Sequence, residues 1–364
     1  MNADAPATRA GVPVRVLVAE DSLTARELLV AILTRDPGIE VVGVAANGAE
    51  AVELTARLRP SLVLMDIDMP VMDGLQATKR IMTDTPTPII IVTATRHAAD
   101  VEMSLEATRH GALALLPKPG WPGSSSGAAH GRLVSQVKAL AAVRVIRHMS
   151  ARADGGPAPA CGPGGPQSPD AGRHVPIEIV AVAASTGGPH ALARLLGRVP
   201  VHFPAPVLVV QHLPAGFAAG FATWLRSQCS IPVDLAADGV RLKGGSAYVA
   251  PDGVHLEVAG RRVQLRAGPP SAGMCPAANR LFGSLAGYGP RAAAVVLTGM
   301  GNDGLDGACE LAAAGGRILA QDRATSVVFG MPGAVVAAGI AEFVAPVEAL
   351  ATRLVALSTA GAHS

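Results

Sequence analysis

Eight side chains of this 364-residue chain stand where their types and spacing could do chemistry. Glu20 and Asp21 follow the apolar run Val14–Val18, and Asp66 follows Leu62–Met65. At one edge of a parallel sheet these three carboxylates would repel one another by several kcal/mol, at about 4 kcal/mol per unit pair 4 Å apart and an effective dielectric near 20. A cation relieves that repulsion. Mg²⁺ suits the set because it takes hard oxygen ligands and keeps several waters. Thr93, after Ile89–Val92, and Lys118, after Leu113–Leu116, add a hydroxyl and a fixed positive charge. Carboxylate, metal, hydroxyl and ammonium together would stabilise a transferred phosphoryl group. Taken singly, an acidic pair after a strand reads as a solvated loop and a lysine before proline as a surface residue. All five at successive strand ends point to phosphoryl chemistry.

The second set is Ser185, His212 and Asp303. Ser185 lies in Ala183-Ala184-Ser185-Thr186-Gly187-Gly188-Pro189, after one apolar run and before a helical pattern. A helix N-terminus offers free N–H groups and partial positive charge to a developing oxyanion. A serine there is a candidate nucleophile, and an N-capping serine is the structural alternative. The glycine pattern is not the G-x-S-x-G elbow of α/β-hydrolases, because Ala183 replaces the first glycine. His212 follows Val207–Val210 in Gln211-His212-Leu213-Pro214; alone it could be a hydrogen-bonded structural residue. Asp303 lies in Thr298-Gly299-Met300-Gly301-Asn302-Asp303-Gly304; alone it could be an Asp-Gly turn. Three strands ending in Ser, His and Asp on one sheet edge would supply a nucleophile, its base and the acid that fixes the base's tautomer.

The elements that must position these residues follow from periodicity. The N-terminal part reads strand Val14–Val18, helix Leu23–Arg35, strand Val41–Val44, helix Gly48–Leu58, and strands Leu62–Met65, Ile89–Val92 and Leu113–Leu116. An amphipathic helix over Arg132–Ser150 closes it. Five strands with crossover helices predict a parallel, doubly wound sheet. The C-terminal part repeats the grammar with buried-type strands Ile177–Val182, Val207–Val210 and Ala293–Leu297. Between them Ser246–Ala267 alternates around Pro-Asp-Gly and Ala-Gly turns, which predicts antiparallel hairpins that include Tyr248-Val249. From Ala151 to His174 there is no Val, Ile, Leu, Met, Phe, Tyr or Trp. Such a stretch buries too little apolar surface to offset its ordering entropy. The boundaries are therefore one α/β domain over 12–150, a flexible Gly/Pro-rich linker over 151–175 and a second α/β domain over 176–358.

Composition excludes several classes. Hydrophobic residues make up 49% and aromatic residues 3% of the chain, with net charge +2. Mean hydropathy is +0.37. Disorder throughout needs low hydrophobicity with high net charge, and this chain has neither. A spanning helix needs about 20 consecutive apolar residues. The long uncharged stretches, Val199–Leu225 and Ala324–Ala341, are broken by Pro, Gly or His, so no membrane insertion is expected. No cationic start leads into an apolar run, so no signal peptide is expected. The cysteines Cys161, Cys229, Cys275 and Cys309 form no CxxC pair, which suits a reducing cytoplasm. Charge is −4 over 1–120 (11 basic, 15 acidic), +4 over 121–175 (6 and 2) and +2 over 176–364 (13 and 11). No segment is basic enough, or rich enough in aromatics, to predict nucleic-acid binding.

Residues 12–150 resemble the receiver domain of two-component response regulators. The runs that carry the likeness are Val16–Ser22, Met65-Asp66-Ile67-Asp68-Met69-Pro70 with Met72-Asp73-Gly74, Val92-Thr93-Ala94 and Pro117-Lys118-Pro119. The resemblance implies a flavodoxin-like sheet and Asp66 as phosphoacceptor. Glu20, Asp21 and Asp66 would hold Mg²⁺, and Thr93 and Lys118 would contact the phosphoryl group. Leu115 stands where receivers often carry an inward-moving Tyr or Phe.

Residues 176–358 resemble the catalytic domain of chemotaxis protein-glutamate methylesterases/glutamine deamidases, the CheB family. The likeness rests on Ser185-Thr186-Gly187-Gly188, Gln211-His212-Leu213-Pro214 with Gly216-Phe217, Tyr248-Val249-Ala250-Pro251, Leu297–Gly304 and Val328-Phe329-Gly330-Met331-Pro332. It implies a Rossmann-like domain with an inserted hairpin, with Ser185 as nucleophile, His212 as base and Asp303 as orienting acid. The backbone amides of Thr186 and Met300 would be oxyanion donors, and the esterase site would need no cofactor. It implies further that the unphosphorylated receiver covers the active site, that methylated chemoreceptors are substrates and that a chemotaxis histidine kinase is phosphodonor. One loop departs: the family's Arg-Pro-Ser-x-Asp is Cys275-Pro276-Ala277-Ala278-Asn279 here, which would alter substrate positioning or receptor choice while leaving catalysis intact. Two alternatives stay open: a non-catalytic phosphorelay binding module, and the same esterase serving a non-flagellar pathway.

Overall fold

The computed structural model describes residues 12–94, 98–119, 127–143, 145, 175–271 and 273–359. The predicted linker over 151–175 lies outside the described residues except for Val175. The N-terminal domain runs β1 (Val14–Ala19), α1 (Leu23–Leu33), β2 (Ile39–Ala45), α2 (Gly48–Leu58), β3 (Leu62–Met65), α3 (Gly74–Asp84), β4 (Ile89–Thr93), α4 (Ala98–Arg109), β5 (Ala114–Pro117) and α5 (Gly127–Ala141). The strands pair in parallel in the order β2-β1-β3-β4-β5. Val16, Val18, Leu62, Leu64, Ile90 and Val92 are buried on one face, while Leu17, Val63, Met65, Ile89 and Ile91 are buried on the other. Continuous burial on both faces is why these strands read as unbroken apolar runs. Ser22, Asn47 and Asp73 accept from the amide three residues on and start α1, α2 and α3.

The C-terminal domain runs β6 (Ile179–Ala184), α6 (Gly188–Leu196), β7 (Val207–Gln211), α7 (Ala218–Ser227), β8 (Val233–Leu235), β9 (Ala247–Val249), β10 (His255–Ala259), β11 (Arg262–Arg266) and α8 (Ala278–Ser284). A 3-10 segment (Ala286–Arg291) leads to β12 (Ala292–Val296), α9 (Leu305–Ala313), β13 (Arg317–Gln321), α10 (Met331–Ala337), β14 (Phe343–Ala345) and α11 (Val347–Thr359). The main sheet has the order β14-β13-β12-β6-β7-β9-β8, parallel throughout, and β10-β11 form a separate antiparallel hairpin. Strand order reverses between β6 and β12, the place where open α/β sheets put their ligands. No described helix is long and apolar enough to cross a membrane.

Three local expectations are corrected. Tyr248-Val249 is not part of a hairpin. Ala247–Val249 inserts as β9 between β7 and β8 and is buried throughout, which a two-sided sheet demands and a solvated hairpin does not. The last N-terminal helix starts at Gly127 and ends at Ala141 rather than spanning 132–150. Its inward face ends with Leu133, Val137 and Leu140, and the β-branched Val143 and Val145 pack on the core from outside the helix. Helix α1 stops at Leu33, where Thr34 turns its hydroxyl back onto the Val30 carbonyl (2.9 Å).

The two domains share buried surface. Val101 and Leu105 of α4 lie in one apolar cluster with Phe221 and Trp224 of α7 and Leu192 of α6. Trp224 Nε1 donates to Glu106 Oε1 at 3.0 Å. Leu115 of β5 packs against the same cluster, and Val327 and Val328 pack against the N-terminal domain's core.

Candidate functional site

In the N-terminal domain the three acidic residues converge. Ligand oxygens of Glu20, Asp21 and Asp66 all lie within 4.8 Å of one another. Glu20 and Asp66 are buried and Asp21 is exposed. They meet because β1 and β3 are neighbours in register and each ends at the same edge. Lys118, carried there by β5, places Nζ 2.8 Å from Glu20 Oε1 and 2.7 Å from Asp66 Oδ2. Thr93 closes β4 and is buried. Ile67 N donates to Asp66 Oδ1 at 2.7 Å.

The charges are not in balance. Burial raises the Asp66 pKa against the lowering pull of Lys118. Burial and the neighbouring Asp66 charge raise that of Glu20. Burial pulls the Lys118 ammonium down, yet Asp66 and Glu20 together outweigh it and the net shift is upward. Glu20 Oε2 is buried and accepts no hydrogen bond from the described residues. An orphaned carboxylate oxygen among three oxygen-donor side chains fits a hard divalent cation.

In the C-terminal domain Ser185, His212 and Asp303 follow β6, β7 and β12, three adjacent strands. His212 Nε2 is 2.9 Å from Asp303 Oδ2. The carboxylate can only accept, so Nε2 carries the proton. Nδ1 is then the basic nitrogen, and it is buried without a hydrogen-bond partner among the described residues. Asp303 accepts two further bonds, from Ala278 N to Oδ2 (2.7 Å) and from Asn279 N to Oδ1 (3.1 Å). Ser185 N is tied to the Thr298 carbonyl at 3.0 Å. The turn after Ser185 needs Gly187, whose φ is +77° and whose Cβ would meet Val327 at 2.6 Å. The amides of Thr186 and Met300 donate to no acceptor among the described residues.

Two contributors were not assigned a role from sequence. Gln211 Nε2 donates to both the Ser185 and His212 carbonyls at 2.9 Å, which clamps the serine turn to the histidine loop. Its position inside Gln-His-Leu-Pro was the available signal. Thr298 Oγ1 donates to the Thr186 carbonyl at 2.9 Å and accepts from Val328 N at 3.0 Å. Nothing in sequence spacing links residue 298 to 186. The departing loop does border the site: Gly273, Met274 and Cys275 line one cavity of about 710 Å³ with Ser185 and His212. Residues of the N-terminal domain, including Leu113, Leu115 and Gln136, supply another part of that cavity's wall. Gly187 N, in the serine turn itself, donates to the Leu113 carbonyl of the receiver at 3.0 Å.

The N-terminal domain is seated against the serine turn of the second sheet, through the Leu113 carbonyl and the apolar cluster around α4. Comparison with known proteins gives the particular family. The CheB methylesterase family matches residues 180–354 and the response regulator receiver domain matches residues 16–123. A Myxococcus xanthus (strain DK1622) protein named protein-glutamate methylesterase/protein-glutamine glutaminase 4 is 51% identical over 345 residues, 94% of this chain and 96% of its own. An Anaeromyxobacter dehalogenans (strain 2CP-C) protein, number 3 of the same name, is 48% identical over 94% of this chain and 98% of its own. The solved Thermotoga maritima CheB methylesterase catalytic domain is 37% identical and covers 50% of this chain and 100% of its own, with a TM-score of 0.48. The chain belongs to the CheB methylesterase family, with an N-terminal receiver domain.

Proposed function

We propose that this protein hydrolyses methyl esters on glutamates of chemoreceptors, and deamidates receptor glutamines, under control of phosphorylation at Asp66. The division is a receiver over 12–150, a linker over 151–175 and a catalytic domain over 176–358. The observation that carries the reading is the His212 ring: Nε2 is held by Asp303, Nδ1 is left without a partner among the described residues, and His212 lines the same cavity as Ser185.

In this reading Ser185 Oγ attacks the ester carbonyl and its proton passes to His212 Nδ1. The oxyanion is met by the amides of Thr186 and Met300. His212 returns the proton to the leaving methoxide, so methanol departs and an acyl-serine remains. Water, deprotonated by His212, then cleaves the acyl-serine to free glutamate and Ser185. With a glutamine substrate the leaving group is ammonia, and the remaining steps are the same. Asp303 stays ionised and steadies the imidazolium formed in each half-reaction.

On the receiver, an Asp66 carboxylate oxygen takes the phosphoryl group from a phosphohistidine of a chemotaxis kinase, with the P–N bond breaking as the P–O bond forms. Glu20, Asp21 and Asp66 would hold Mg²⁺, which when bound offsets negative charge on the phosphoryl oxygens. Thr93 and Lys118 contact the new group. It adds about −1.5 to −2 charge at neutral pH, if it behaves as other phosphorylated side chains do. Lys118 then has a competing acceptor, and β5, which carries both Lys118 and Leu115, links that change to the face seated on the serine turn. The reaction belongs in the cytoplasm, where kinase and receptor signalling domains meet.

Methanol release from methylated receptor membranes, measured with and without phosphodonor and Mg²⁺, tests the reading. Stimulation by phosphodonor that disappears in Asp66→Asn supports it. Methanol release that survives Ser185→Ala would sink the serine mechanism, and a parent chain that releases no methanol under any condition would leave the non-catalytic phosphorelay module standing.

A further inference from the structure

The turn that carries Asp303 is held from outside. Helix α9 starts two residues after Asp303, and its N-cap is Gly304, which has φ +98° and no side chain to cap the first turn. The missing acceptor comes from α8. Asn279 Oδ1 accepts from Gly304 N at 2.9 Å and from Gly307 N at 3.2 Å. The second bond is the one that an N-cap Ser, Asp or Asn normally makes to the third helical residue. Asn279 Nδ2 lies 3.4 Å from Asp306 Oδ2. The approach is so close that a Cβ on Gly307 would stand 2.2 Å from the Asn279 carbonyl oxygen.

The main chain of the same segment holds the carboxylate itself, through Ala278 N and Asn279 N. Its own placement is fixed one residue earlier. Ala277 N donates to His255 Nδ1 at 3.3 Å, and His255 Nε2 donates to the Pro269 carbonyl at 3.0 Å. Residue 279 thus grips both the acid and the turn the acid stands on. An amide suits the place: it accepts from two N–H groups and donates to Asp306, with no further negative charge beside Asp303 and Asp306. A carboxylate keeps the acceptor and loses the donor.

We propose that Asn279 is a positioning residue for the hydrolysis, acting through Asp303 to hold its carboxylate on His212 Nε2. The proposal rests on the Ser185-His212-Asp303 reading above. Its test uses the full chain, phosphorylated, with kcat and KM measured separately on methylated receptor membranes. In Asn279→Ala, kcat should fall by roughly ten- to a hundred-fold, given that a misplacement of about 1 Å can cost about 10²-fold. KM should stay within about twofold, since the lost contact is not with substrate. Asn279→Asp should restore kcat to within about threefold of the parent, because it keeps the oxygen that both N–H groups need. Asn279→Gln, whose oxygen sits one methylene too far, should resemble the alanine variant.

An alanine variant with parental kcat, or an aspartate variant as impaired as alanine, would overturn the proposal. If the alanine variant does not fold, the Gln and Asp pair decides by the same two outcomes. Ser185→Ala is run alongside. Activity surviving there refutes the triad reading itself, whereas a dead Ser185→Ala with an unimpaired Asn279→Ala refutes only the positioning role.

Discussion

The two sites of this chain share an address and differ in how finished they are. Both lie at the carboxyl edge of a parallel sheet, where strand order reverses, and both centre on a buried aspartate. Asp303 accepts from His212 and from two main-chain amides. Asp66 sits with a second buried carboxylate, its pKa is raised by burial, and the neighbouring Glu20 keeps an oxygen without a partner. Read as proposed, the Ser185-His212-Asp303 site is preorganised for charge that develops during reaction. The receiver site is held in frustration, with Lys118 shared between two acids, and an incoming cation and phosphoryl group can relieve it. Receiver residues wall part of the first site's cavity. In the proposed reading, phosphorylation at the second supplies the energy to open it. A response regulator needs that division: a switch must be poised between states, and a catalyst must not be.

The sharpest way to break this comparison is at the finished site. Ser185→Ala should lower kcat by about 10⁶-fold, the scale of losing a nucleophile, and Asp303→Asn by about 10⁴-fold, the scale of losing the correct histidine tautomer. Phosphorylation of Asp66, followed by phosphate incorporation, should be unchanged in both. The next largest effect belongs to the switch. Asp66→Asn should remove the stimulation by phosphodonor, expected at about 5- to 150-fold for coupling of 1–3 kcal/mol, while basal methanol release persists.

The third concerns pH and metal. Glu20 and Asp66 have raised folded-state values, so their contribution to stability is fully present below the ordinary carboxylate range. It is lost as pH rises through the raised values. Mg²⁺ should reverse this. At hundred-fold excess over its Kd it should stabilise the receiver by about 2.7 kcal/mol at neutral pH, and have little effect near pH 4, where protonated carboxyls no longer bind it. Thermal melting at the two pH values checks both halves.

The smallest expected effect is at the contact between domains. Trp224→Phe keeps the ring in its apolar cluster and removes only the bond to Glu106. A hydrogen bond of about 1 kcal/mol net should, when lost, raise basal activity about fivefold, and leave the fully phosphorylated rate unchanged.

Much of the fold was legible because fully buried parallel strands are continuous apolar runs, and each candidate residue stands at the end of one. The exception is instructive. Tyr248-Val249 lies beside Pro-Asp-Gly and alternating segments that do form a hairpin, and a three-residue strand has too little period to show which sheet it joins. The chemistry of the sites was legible by residue type, as acids with a lysine and as Ser, His and Asp. Their helpers were not. Gln211, Thr298 and Asn279 act through hydrogen bonds to main-chain groups, and a carbonyl or an amide leaves no mark on the sequence of the residue that carries it.

The sequence by itself determined two α/β domains and the strand ends at which the candidate residues stand, and it set apart a stretch over 151–175 poor in apolar residues. That follows because period and composition are local properties. Only the tertiary structure decided which ring nitrogen of His212 is held by Asp303, that Asn279 caps a helix it does not belong to, and that the Leu113 carbonyl of the receiver meets the serine turn. Those are contacts between residues 25 to more than 90 positions apart, and they exist only once both sheets have formed and one has been laid on the other.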